Sequence, residues 1–104
     1  MSKKSPMSLS LDYMNKRGYC CHIVEKWIPR ANVRKDAFGF GDILCYRVGN
    51  RDGGIVLVQT TSWSNFAARK QKILDSPHFD GWRKAGGRVF LQAWGDKGLR
   101  EEEL

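Results

Sequence analysis

The sequence predicts an α/β fold, one mixed sheet flanked by helices, in the order helix, strand, strand, strand, helix, short helix, strand. Three observations lead there. The run Ile55-Val56-Leu57-Val58 is apolar on both faces and follows the turn-forming cluster Asn50-Arg51-Asp52-Gly53-Gly54, which suits a strand inside a sheet layer. Arg88 to Trp94 alternates with the period of a second buried strand. Between them lies a stretch of helical period, so the connection is a helical crossover packed on the sheet. With 104 residues the chain has the size of one domain and one core.

The elements follow in order. Residues 1–7 read as a loose basic lead-in, and Ser8 as the cap of a helix to about Arg17, with Met7, Leu11 and Met14 on one face and Gly18 past its end. Tyr19 to Ile28 is β-branched and aromatic and stops at Pro29, which predicts the first strand. Glu25 then shares a face with Cys21, Ile23 and Trp27, as a solvated edge residue or as part of a site. Within Lys35 to Arg47, Asp42 opens an apolar segment that forms a hairpin with Ile55 to Ser62. Ser62 or Ser64 caps a helix through about Asp75 with Phe66, Ala67, Lys70, Ile73 and Leu74 inward, and Arg69 and Lys72 elsewhere on it. Ser76-Pro77 starts a shorter helix through Lys84 that carries Phe79 and Trp82, closed by Gly86-Gly87. After the strand at Arg88 to Trp94, residues 95–104 read as a frayed tail.

Lys and Arg total 18 against 11 acidic residues, a net charge of +7 and a pI near 9.6. That excess favours a polyanionic partner, nucleic acid first and an anionic membrane surface second. No apolar run is long enough to span a bilayer, and no apolar segment follows the basic start, so a cytoplasmic protein is expected. Cys20, Cys21 and Cys45 are odd in number, and neighbours on a strand point to opposite faces, so they read as small buried hydrophobes rather than zinc ligands. Arg30, Arg34, Lys35, Arg69 and Lys72 are candidate phosphate contacts, and Trp63 stacks on a base or packs in the core.

Side chains alternate along a strand, so Gln59 and Thr61 share a face at the polar end of the third strand, opposite Asp42 in the hairpin. Gln59-Thr60-Thr61 serves either a site or the cap of the next helix, and Asp36 either a turn or a site. The segments Lys35-Asp36-Ala37-Phe38-Gly39-Phe40-Gly41-Asp42-Ile43 and Val58-Gln59-Thr60-Thr61-Ser62 together resemble the PD-(D/E)XK nuclease superfamily, over about Leu9 to Trp94. The resemblance implies a restriction-endonuclease-like core and hydrolysis of DNA, including structured or branched DNA, with Mg2+ or Mn2+. It assigns Asp42, Gln59 and the Thr60 backbone carbonyl as metal ligands, and puts Thr61 where that superfamily has lysine. Gln59 stands where it has Glu or Asp. Glu25 and Lys35 are the residues that could supply the missing carboxylate and ammonium, and a catalytically impaired DNA-binding protein is the alternative. Small members of the superfamily dimerise to cut two strands, so the resemblance allows a homodimer.

Overall fold

The computed structural model describes residues 4–49 and 54–104. A five-stranded mixed sheet has helices on both faces, and a two-stranded ribbon projects beside it. In chain order the elements are α1 (Pro6–Lys16), β1 (Cys20–Ile23), β2 (Lys26–Ile28), β3 (Val33–Lys35), β4 (Ile43–Tyr46), β5 (Ile55–Ser62), α2 (Phe66–Asp75), α3 (Phe79–Lys84), β6 (Arg88–Gly95) and β7 (Gly98–Glu103). The sheet order is β1-β4-β5-β6-β7, and β2 and β3 pair with each other. β5 and β6 are parallel, joined by the crossover through α2 and α3, and the other neighbouring strands are antiparallel. Among the described residues no helix is long and apolar enough to cross a membrane.

Two apolar layers enclose the sheet. On one face Met14 of α1 meets Tyr19, Ile43, Cys45, Val56, Val58 and Phe90, with Met7 and Leu11 alongside. On the other, Phe66 and Ile73 of α2 pack on Leu57, Val89, Leu91 and Ala93, with Phe40, Phe79 and Trp82. β5 and β6 carry buried residues on both faces, as central parallel strands do.

Several boundaries differ from the sequence expectation. The first helix begins at Pro6, because Ser5 accepts the Ser8 N–H and Pro6 suits the first turn, so Ser8 is not its cap. Only residues 1–3 of the expected loose lead-in lie outside the described residues, as does most of the Asn50–Gly54 turn cluster. The expected strand Tyr19 to Ile28 breaks at Val24-Glu25, whose N–H groups both donate to the Asp42 carbonyl (2.9 and 3.3 Å), and the chain leaves the sheet there. A 3₁₀ turn at Trp63–Asn65 precedes α2, and no side chain caps it. On α2, Ala67 and Leu74 are exposed and Lys70 pairs with Glu102, so the inward stripe narrows to Phe66 and Ile73. α3 starts at Phe79 rather than at Pro77.

Residues 98–103 are a sheet strand rather than a frayed tail. β7 covers the edge of β6, and Glu101, Glu102 and Glu103 pair with Arg17, Lys70 and Arg88. The acidic end therefore neutralises cations of the folded body. Of the cysteines only Cys45 is fully buried; Cys20 is exposed, and Cys21 faces Cys45 across β1 and β4 with the sulfurs 3.2 Å apart.

The loop before β4 matters most for the site. Ala37 and Gly41 exchange both backbone hydrogen bonds at 2.8 Å, closing a tight loop through Phe38 and Gly39, both at positive φ (56° and 81°). This pinch brings Asp36 and Asp42, which flank it, side by side. A Cβ at Gly39 would meet no atom within 4 Å, whereas one at Gly41 would lie 2.7 Å from Leu57 Cδ2. Gly39→Ala should thus cost about 1 kcal/mol, from backbone strain alone. Gly41→Ala overpacks the core under the loop and should cost about 1–3 kcal/mol. Thermal unfolding of both variants checks this, and a neutral Gly41→Ala would contradict the described packing.

Candidate metal centre

Asp42 is nearly buried (3% exposed) and tied on every polar group. Its N–H donates to the Val58 carbonyl (2.8 Å), and its own carbonyl accepts from Val24 and Glu25. Its Oδ2 accepts from the Thr60 N–H (2.9 Å) and from Gln59 Nε2 (2.7 Å), with the Thr60 hydroxyl at 3.4 Å. Asp42 and Gln59 therefore meet across the β4–β5 pair, on the side of the sheet reached by alternation from Leu57.

Two more carboxylates converge on Asp42. Glu25 is brought in by the backbone bonds at the end of β1, and Asp36 by the Ala37–Gly41 pinch. One carboxylate oxygen from each of Glu25, Asp36 and Asp42 lies within 4.8 Å of the others. Gln59 is 3% exposed, and its Oε1 has no hydrogen-bond partner although its Nε2 is held by Asp42. A buried amide oxygen without a donor is costly, and Gln59 lines the same cleft as the three carboxylates. The three carboxylates supply hard oxygen donors that could hold a metal ion.

The electrostatics point the same way. Burial, then the neighbouring Asp36 and Glu25, push the Asp42 carboxyl up to about 7, against the opposing Thr60 N–H. The two outer carboxylates are steadied by cations: Arg34 Nη1 lies 3.2 Å from Glu25 Oε1 and Lys72 Nζ 3.5 Å from Asp36 Oδ2.

The centre lies in an open cleft of about 880 Å³, large enough for a nucleotide-sized group. Asp42, Gln59, Thr60, Thr61, Glu25, Arg34, Arg69 and Lys72 all line it, and so do Asp36, Trp27 and Asn65. Three residues expected at the site lie elsewhere. Lys35 is exposed and outside the lining, because strand alternation turns it away from its neighbour Arg34. Arg30 sits in the turn between β2 and β3 and does not reach the cleft. Trp63 is also outside the lining; its indole N–H donates to the Gly98 carbonyl (3.0 Å) and its ring packs over Gly95. The half-exposed aromatic ring in the cleft is instead Trp27. The Thr60 carbonyl accepts from Gln59 Nε2 at 3.3 Å. Thr61, 6% exposed, brings no ammonium.

No protein-family model, curated protein or solved structure matches this chain.

The raised Asp42 pKa has a stability consequence of definite sign. Between about 4 and about 7 the folded, metal-free protein holds a proton that the unfolded chain has released, so stability falls as pH rises through that window and is level above it. Asp42→Asn removes this term. Without metal, at pH 8, the variant should be more stable than wild type by at least about 1 kcal/mol, or about 4–8 °C in melting temperature for a domain of this size. Melting curves of the two proteins in chelator across pH 4–8 test it, and parallel pH profiles would contradict the crowding of carboxylates.

Proposed function

We propose that the protein is a divalent-metal-dependent nuclease that hydrolyses DNA phosphodiester bonds, on a restriction-endonuclease-like core. One observation carries this reading: three carboxylates converge in a cleft that Arg34, Arg69 and Lys72 also line. Pairing a hard-oxygen centre with surrounding cations fits a phosphodiester, whose charge the cations attract and whose reacting atoms lie at the centre.

The residues divide the work by position. Asp42, held by two donors of β5, fixes one carboxylate without freedom to rotate, and Asp36, Glu25 and Gln59 Oε1 complete the donor set. When bound there, a divalent ion supplies Lewis acidity at the scissile phosphate. Arg69 and Lys72, one turn apart on α2, and Arg34 on β3 neutralise the phosphate backbone, while Trp27 offers a flat face to a base. Thr61 supports a second reading, a DNA-binding protein of the same fold that does not cut, since β5 carries no lysine.

One gel separates the readings. Linear, nicked, forked and four-way DNA are incubated with the protein in Mg2+, Mn2+ or chelator. Metal-dependent cutting that Asp42→Ala reduces by about 100-fold or more, with DNA binding retained, is the expected result. Binding without cutting of any substrate would favour the second reading, and neither binding nor cutting would remove both.

A further inference from the structure

The ion pairs Arg34–Glu25 and Lys72–Asp36 are asymmetric. The carboxylates are fixed and mostly buried, with side chains 17% exposed for Glu25 and 13% for Asp36, whereas the paired Arg34 and Lys72 side chains are 72% and 46% exposed. The cations sit on long, flexible stems on two different elements and line the same cleft. Arg69 also lines it and, among the described residues, makes no ion pair, so one basic group of the cleft is already unengaged.

From this we infer that Arg34 and Lys72 are exchangeable counter-ions. Without metal they neutralise Glu25 and Asp36. A divalent cation bound by the carboxylates and Gln59 Oε1 displaces both, and the released guanidinium and ammonium turn to a phosphodiester. Metal and nucleic acid then bind cooperatively, since each favours the arrangement the other needs, and the coupling is reciprocal. The exchange is one of non-covalent partners, and charge balances throughout: two positive charges leave the carboxylates as one dication arrives. Lys72 thereby takes up the positive charge near the phosphate that Thr61 does not provide.

The inference rests on the metal centre of the proposed function, so its test reads binding as well as cutting. Mn2+ is titrated calorimetrically into the DNA-free protein as wild type, Arg34→Met and Lys72→Met. Because each variant loses a competing cation, each should bind Mn2+ about 3- to 10-fold more tightly than wild type. Anisotropy of a short fluorescent DNA duplex is measured with and without Ca2+. Ca2+ should raise the affinity of wild type by about fivefold or more, and the double variant Arg34→Met/Lys72→Met should lose that gain. Lys72→Arg should restore part of it, and Lys70→Met, whose ammonium pairs with Glu102 outside the cleft, should keep it.

Mn2+ affinity unchanged or weakened in Lys72→Met would overturn the exchange, and would leave the nuclease reading intact if wild type still cuts DNA with metal. Tighter Mn2+ binding with lost coupling, in a protein that cuts no DNA, would uphold the exchange and remove the nuclease. An absence of Mn2+ binding in every variant would overturn both.

Discussion

Asp42 is the residue from which the rest of the site hangs. Its N–H holds the start of β4 to Val58, its carbonyl turns the chain out of β1 at Val24-Glu25, and its carboxylate takes two donors from Gln59 and Thr60. One residue thus fixes where β1 ends, where β4 begins and how β5 presents its polar end. The turn at Val24-Glu25 brings Glu25 inward, and the pinch next to Asp42 brings Asp36. Folding therefore assembles three carboxylates through backbone hydrogen bonds, and the repulsion among them is a by-product of the topology.

Burial and two like charges push the Asp42 carboxyl upward, a state that a cation beside it would relieve. Gln59 adds no charge beside the three carboxylates; its Nε2 donates to Asp42 while its Oε1 has no hydrogen-bond partner. Glu25 and Asp36 bring their charge to Asp42 from segments earlier in the chain. The negative charge is met by Arg34 and Lys72 from the cleft wall, whose side chains are more exposed than the carboxylates they pair with.

How much of this was legible follows the range of the interactions. Asp42 and Gln59 could be set opposite one another because strand period and a short turn are local properties, and the two helical faces of the sheet followed from apolar periodicity. Glu25 could not be oriented, since the break at Val24-Glu25 depends on the carbonyl of a residue distant in sequence. Asp36 was ambiguous between turn and site because it serves as both: it opens the pinched loop and joins the cluster. β7 was missed because Gly-Leu-Arg-Glu-Glu-Glu has no apolar alternation; it is held by ladder bonds to β6 and by Arg17, Lys70 and Arg88. The place of Trp63 was open for the same reason, since its indole is engaged by the Gly98 carbonyl at the start of β7, which no local pattern near it announces.

The central claim, that Glu25, Asp36, Asp42 and Gln59 form one centre for a divalent ion, is tested most directly by anomalous diffraction from crystals of the protein grown with Mn2+. The account predicts a single strong anomalous peak at bonding distance from oxygens of Asp42, Asp36 and Glu25, with the Gln59 amide oxygen turned to it. A peak confined to other surface carboxylates, or none beside Asp42 in crystals whose cleft is open to solvent, would contradict it.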